Sequence, residues 1–346
     1  MLKLTIALFS LVAALTTNVA SAYDWQALPA KAPAPADNPT TAEKVELGRM
    51  LYFDPRFSET GTVSCNSCHN LMLGGDDNRP VSMGVHGKTG GRSAPTVWNS
   101  AFASSQFWDG RAATLEDQAK GPVVNPVEMG MTDVELAMKR VRAIPGYEPY
   151  FIAAFGKDDP MTVDNAAKAV AAFERTMITP NSPYDRFVKG DKTALTAQQQ
   201  SGMNTFAEVG CTGCHSGAAF NGPGMPAGTG FFMKFPTLTD NDYVSKYGLD
   251  KDKGRFEATG KAADMHMFKV PTLRNVALTA PYFHNGSVKK LDEAVRVMAK
   301  VQLGRDLSDQ QVADLVAFLN ALTGEFPEQS LPRLPATPGW SIVGSE

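Results

Sequence analysis

The sequence predicts a mainly α-helical protein built from two related halves in tandem. Three observations predict it: one cysteine–histidine motif occurs twice, the sequence around it repeats in the same order, and the apolar stretches have helical spacing.

Cys65-Asn66-Ser67-Cys68-His69 and Cys211-Thr212-Gly213-Cys214-His215 both read C-x-x-C-H, with their histidines 146 residues apart. Two thiols at this spacing reach the two vinyl groups of one porphyrin, and the imidazole that follows is placed under the iron. Four cysteines in an exported chain would otherwise suggest two disulfides, a zinc site or a redox dithiol. None of these needs a histidine directly after the second cysteine, and here it stands there both times. The motifs therefore predict two covalently bound haem c groups, attached at Cys65, Cys68, Cys211 and Cys214, with His69 and His215 as proximal ligands.

The repeat extends beyond the motifs. Ala94-Pro95-Thr96-Val97-Trp98-Asn99 resembles Val270-Pro271-Thr272-Leu273-Arg274-Asn275 at an offset of 176 residues. The same offset carries Phe107-Trp108-Asp109-Gly110 onto Phe283-His284-Asn285-Gly286, and Leu115-Glu116-Asp117 onto Leu291-Asp292-Glu293. Ala167 to Met177 resembles Ala313 to Thr323, with Phe173 and Phe318 equivalent at an offset of 145. Offsets of 146, 176 and 145 mean the same order of parts, with about thirty extra residues placed differently in each half. The expected architecture is two cytochrome c-like haem domains arising from an internal duplication, residues 41–185 and 186–325. Thr179-Pro180-Asn181-Ser182-Pro183 breaks the helix between them.

Helices are expected over Ala42 to Tyr52 and Ala197 to Phe206, one before each motif. Thr162 to Met177 opens on a capping threonine and places Val163, Ala166, Ala167, Val170 and Phe173 at helical spacing. Ser308 to Leu322 does the same with Val312, Leu315, Val316 and Leu319, and Gly324 marks its end. A further helix covers Asp292 to Met298. Gly222 to Gly230 reads as a loop wrapping a haem, not a phosphate cradle, because no strand-to-helix context accompanies it.

The ends carry other information. Lys3, the apolar run Leu4 to Leu15 and Ala20-Ser21-Ala22 form a secretory signal peptide, residues 1–22, too short in its apolar part to span a bilayer. Export to a bacterial periplasm follows, with no membrane association after cleavage. Residues 23–40, with Pro29, Pro33, Pro35 and Pro39, read as an extended, poorly packed lead-in, and 326–346 as a C-terminal extension. Of 346 residues, 43% are hydrophobic and 20% charged, with a net charge of −3. That is a globular composition without the basic surplus of a nucleic-acid binder.

The two halves differ where chemistry would be decided. A strong sixth ligand makes an electron-transfer haem, and a displaceable one makes a catalytic haem. Of five histidines, His86 sits in the loop Gly84-Val85-His86-Gly87 and fits a removable ligand as well as it fits a solvated residue. Met298 is one of 15 methionines, and from its helix alone a core role fits better than ligation. His266 reads as a structural or surface residue. Trp108 replaces His284 in the first half and is large enough to be buried. Downstream stand Gln118 and Glu128; a carboxylate beside an iron could move a proton of peroxide while an amide holds it, although each alone is more often a surface or capping residue.

Leu51-Tyr52-Phe53-Asp54-Pro55-Arg56, Gln106-Phe107-Trp108-Asp109-Gly110-Arg111, Glu128-Met129-Gly130 and Pro281-Tyr282-Phe283-His284-Asn285-Gly286, with both C-x-x-C-H motifs, stand in this order from about Ala42 to Thr323. Together they resemble the bacterial di-haem cytochrome c peroxidases. The resemblance implies that His86 and Met298 are the distal ligands of the N-terminal and C-terminal haems. It implies that Gln118 and Glu128 serve the peroxide site, with Trp108 between the haems. It further implies electrons entering at the C-terminal haem from a small c-type cytochrome or cupredoxin, release of His86 after one-electron reduction, and a homodimer. A calcium ion would lie between the halves, on the carbonyls of Thr279 and Pro281 and on an asparagine side chain whose position is Ser93 here, a weaker ligand. Two alternatives remain: a di-haem electron carrier without catalysis, and a di-haem enzyme that oxidises a protein, whose relatives carry tyrosine at the position of Met298.

Overall fold

The computed structural model describes residues 23–344; the signal peptide predicted at 1–22 lies outside the described residues. Among the described residues the chain is mainly helical, with one small sheet. The first half contains α1 (Ala42–Phe53), α2 (Cys65–Cys68), α3 (Leu115–Val124), α4 (Val134–Arg142), α5 (Glu148–Phe155) and α6 (Val163–Glu174). Then follow α7 (Pro183–Val188), α8 (Ala197–Val209), α9 (Asp242–Tyr247), α10 (Phe256–Thr259), α11 (Leu291–Leu303) and α12 (Asp309–Asn320). Strands β1 (Phe232–Lys234) and β2 (Met267–Lys269) pair antiparallel, with Met233 opposite Phe268.

Local chemistry starts these helices. Thr41, Thr162, Thr196 and Ser308 each accept a backbone N–H of the first turn through the side-chain oxygen. Thr196 with Gln199, and Ser308 with Gln311, complete capping boxes.

Each half is organised by one crossing of its first helix on its last. α1 lies against α6 so closely that a Cβ on Gly48 would collide with the Ala169 carbonyl, and the next contact is Phe173. α8 lies against α12 in the same way, with Gly202 on the Asp314 carbonyl and Phe318 beside it. Only glycine permits that approach. Leu47, Trp98, Phe151, Phe173 and Met177 fill one core, and Tyr184, Phe206, Phe220 and Phe318 another. Each such buried side chain contributes about 1.5–3 kcal/mol. The duplication is written into the backbone as well. Asn99 and Asn275 are both left-handed, as are Phe107 and Phe283, and the bridges Gln106–Ala112 and Tyr282–Val288 are equivalent.

Several expectations need correction. Residues 23–40 are extended but not poorly packed throughout. Leu28 is 1% exposed and donates its N–H to Asp185, Asn38 is wholly buried, and the Trp25 ring meets Tyr184, Phe206, Phe220 and Phe318. Trp25 packs on the second core, whereas residues 29–37 are mostly exposed, as a lead-in would be, and the chain turns at Pro35–Asn38. Gly324 does not end the last helix, which stops at Asn320. It packs instead on the Thr179 carbonyl and donates its N–H to Asn275. The helix expected over Asp292 to Met298 runs on to Leu303, where left-handed Gly304 caps it. Trp108 is half-buried. Gly222 to Gly230 is irregular, as expected. The C-terminal extension returns to the first half, with Phe326 edge-on to Trp98 and Ile342 inside that core. Among the described residues no helix is long and apolar enough to cross a membrane.

Candidate haem sites and active site

The two motifs are built alike. The first forms the single turn α2, and the second a 3-10 turn, Cys211–Gly213. In each, the histidine N–H returns to the carbonyl of the first cysteine at 2.9 Å. His69 Nδ1 lies 2.9 Å from the Pro95 carbonyl, and His215 Nδ1 lies 3.1 Å from that of Phe220. A carbonyl at Nδ1 fixes the tautomer and leaves Nε2 free to ligate a metal. Burial pulls both imidazoles below the ordinary histidine range, against the pull of the carbonyls, so both are neutral and ligation-ready. Among the described residues none of the four cysteines is in a disulfide. Burial pushes the Cys65 and Cys211 thiols up to about 12.

In the second half, Cys211, Cys214, His215 and Met298 line one cavity of about 270 Å³. Much of the remaining wall is apolar, including Phe206, Leu291, Leu315 and Leu319. Trp108 reaches into the same cavity from the first half. Its indole N–H donates to the Ser93 carbonyl at 2.8 Å, and its ring stands edge-on to His284 at 6.4 Å.

The first half differs. His86 occupies a left-handed position, φ 57°, on the turn Val85–Gly87. Its side chain is 50% exposed, with Nε2 3.2 Å from the Glu59 carboxylate. The loop that carries it rests on the Glu128 segment: Val85 N–H donates to the Glu128 carbonyl at 2.9 Å, and a Cβ on Gly84 would strike that carbonyl. Glu128 is half-buried and accepts from the Asn125 amide at 2.6 Å. Its charge acts on Cys65 and Cys68, which puts it beside the first motif. Burial raises its carboxyl, against the opposing influence of Arg111 and Asn125. Arg111 lies over the Phe107 ring at 3.5 Å. Gln118 is half-buried on α3.

Ser93, Thr279 and Pro281 line the same cavity wall between the halves, and so does the buried Asp76. The Ser93 hydroxyl donates weakly to the Arg79 carbonyl at 3.4 Å. Asn78 spans the halves, its amide donating to the carbonyls of Leu278 and Ala280. His266 is structural, with Nδ1 2.8 Å from the Asp252 carbonyl.

Sequence reasoning missed Glu59, Asp76 and the Arg92 cluster. Arg92 binds Asp109 and Asp252 at 2.6 Å and Glu257 at 3.0 Å. No motif marks these residues, because their partners are distant in the chain.

Residues 42–193 match the family described as di-haem cytochrome c peroxidase. The cytochrome c551 peroxidase of Nitrosomonas europaea is 42% identical over 335 residues, covering 97% of this chain and 96% of its own. The chain belongs to the di-haem cytochrome c peroxidase family. The cytochrome c551 peroxidase of Pseudomonas aeruginosa is 44% identical over 301 residues, covering 86% of this chain and 84% of its own. Among solved structures, a MauG-like protein associated with microbial copper homeostasis superposes with a TM-score of 0.74 at 32% identity, covering 88% of this chain and 96% of its own. This di-haem peroxidase is thus an enzyme with two haem groups, acting on peroxide with electrons from a cytochrome.

Proposed function

We propose that the two halves divide the work: residues 41–185 form the peroxide-reducing domain and residues 186–325 the electron-entry domain. The observation that carries this is the difference in their sixth positions. Met298 lines one cavity with His215, whereas His86 stands half-exposed against Glu59.

The residues fit two haem c groups. Each motif offers two thiols and an imidazole oriented by a backbone carbonyl, and the second offers an apolar cavity as well. When bound, haem supplies an iron that exchanges electrons and can bind peroxide. Cys65 and Cys68 would hold the first covalently, with His69 and the removable His86 as the residues offered to its iron. Cys211 and Cys214 would hold the second, between His215 and Met298. Glu128 would accept one proton of the peroxide and return it to the departing oxygen. Gln118 orients the peroxide through its amide. Trp108 offers a ring between the two centres. Two electrons and two protons convert one peroxide to two waters. Ser93, Thr279 and Pro281, with Asp76 near them, would hold calcium between the halves. The donor is a small c-type cytochrome or cupredoxin. The mature protein works in the periplasm, after loss of residues 1–22, as a homodimer.

The test is oxidation of a reduced small c-type cytochrome by hydrogen peroxide, started from the fully oxidised and from the one-electron-reduced holoenzyme. Two donor electrons per peroxide, with faster onset after reduction, are expected. Turnover absent from both states, with cupredoxin donors also failing, would favour a carrier or a di-haem enzyme that oxidises a protein.

A further inference from the structure

We propose that Glu174 sets the reduction potential of the first haem, holding it below that of the second and taking up a proton when that centre gains its electron. The inference rests on the reading that a haem is attached at each motif.

It begins with the duplication. At the offset of 145 that equates Phe173 with Phe318, Glu174 is equivalent to Leu319. Leu319 and Leu315 form the cavity wall beside Cys211 and His215. The same two places on α6 are Val170 and Glu174, both buried. One half therefore presents a carboxyl where the other presents leucine. Glu174 is 5% exposed, and its charge is the first named influence on Cys65 after burial itself. It also acts on Tyr52, whose hydroxyl donates to the His69 carbonyl at 2.6 Å.

Nothing else in the first core neutralises it. Arg175, next in the chain, gives its Nη2 to Glu116 at 2.8 Å, and that carboxylate also accepts from Asn38, while Arg175 Nη1 makes no hydrogen bond, to Glu174 or to any other group. Lys44 on α1 donates to Asn38. Among the described residues no side chain donates a hydrogen bond to Glu174. The charged and titratable groups around it are thus Arg175 and Glu116, bound to one another, with Tyr52 and Cys65. Burial, helped by Glu116 and opposed by Arg175, pushes its carboxyl up to about 8.

A buried carboxyl with no protein partner is expensive to ionise unless a positive charge lies beside it. Reduction of a haem iron removes one unit of positive charge from the centre. The oxidised centre therefore favours the carboxylate, and the carboxylate favours the oxidised centre. On reduction one electron arrives from the donor protein and one proton from water. The proton bonds to a Glu174 oxygen, and no bond to the haem is made or broken. Leu319 does none of this, so the second haem is the easier to reduce.

The experiment is spectroelectrochemical titration of both haems in the holoenzyme between about pH 6 and pH 9, in wild type, Glu174→Gln and Glu174→Leu. In wild type the first haem's reduction equilibrium should fall tenfold per pH unit, about 59 mV for a one-electron couple. Both variants should lose that slope and be easier to reduce at the alkaline end, with the second haem unmoved. A redox-difference infrared spectrum of unmodified wild type should gain a protonated-carboxyl band as the first haem is reduced, which keeps the test open if both variants fail to take up haem. Variants that keep the slope, or a wild type without the band, overturn the proposal alone. A wild type with fewer than two attached haems overturns the reading beneath it as well.

Discussion

Asn99 and Asn275, equivalent residues of the two halves, donate their side-chain amides to one oxygen, Thr179 Oγ, at 2.8 and 2.9 Å. Both asparagines are left-handed, and all three residues are essentially without exposure. Thr179→Val keeps the shape but leaves both amides without that acceptor. Each buried group left unpaired costs about 1–3 kcal/mol. A lower Tm in calorimetry, with both haem spectra intact, is expected. An unchanged Tm would mean the convergence contributes nothing.

Glu128→Gln should lower kcat by about 10²–10⁴-fold while both haems remain attached. Because burial raises the Glu128 carboxyl above the 4.5 of an ordinary glutamate, and because it must be ionised to take a proton, wild-type activity should fall as pH drops through that raised value. The variant should lack this acid limb. A pH–rate profile decides it, and equal profiles would remove Glu128 from the chemistry.

The contact of His86 with Glu59 makes a spectroscopic prediction. The pair is half-exposed, so Glu59→Gln should change stability by less than about 1 kcal/mol. It should, however, release His86 towards the iron and reduce the five-coordinate fraction of the first haem. Electron paramagnetic resonance measures that fraction directly, and no change would leave Glu59 without a positioning role.

Arg92→Leu should destabilise the junction of the halves. It strands Asp252, whose side chain is 15% exposed, while Asp109 keeps Arg111 at 3.0 Å, and breaking such a pair costs about 3–5 kcal/mol. Burial works against the Asp252 carboxylate, but the Arg92 bond outweighs it and holds the carboxyl below the ordinary aspartate value of 3.8. A depressed carboxyl stabilises the fold above its unfolded value and loses that effect as pH falls through the folded one. The gap in Tm between wild type and variant should be full at neutral pH and close in acid. A gap independent of pH would exclude the ion pairs as its cause.

Trp108→Phe keeps a ring in the shared cavity but removes the N–H that reaches Ser93. Slower electron passage between the haems, read by stopped-flow mixing of the half-reduced enzyme with peroxide, is expected. The Ser93 N–H also donates to the His284 carbonyl at 2.7 Å. A variant with unaltered kinetics would therefore confine Trp108 to bracing this junction.

The sequence by itself determined what is local or periodic. Attachment chemistry is local, because two cysteines and a histidine within five residues need only a single turn to present them. The duplication is legible as order and offset, and the helices as spacing and caps. The packing of residues 23–40 was not, because prolines and alanines read as a linker until Asp185, 157 residues away, accepts the Leu28 N–H. Tertiary structure alone decided the rest. The turn of His86 towards Glu59, the convergence on Thr179 and the Arg92 cluster, whose partner Asp252 is 160 residues distant, all join segments far apart in the chain. A carboxylate's chemistry depends on what replaces its water. For Glu174 that is the core closed by α1 and α6, which exists only once the chain has folded.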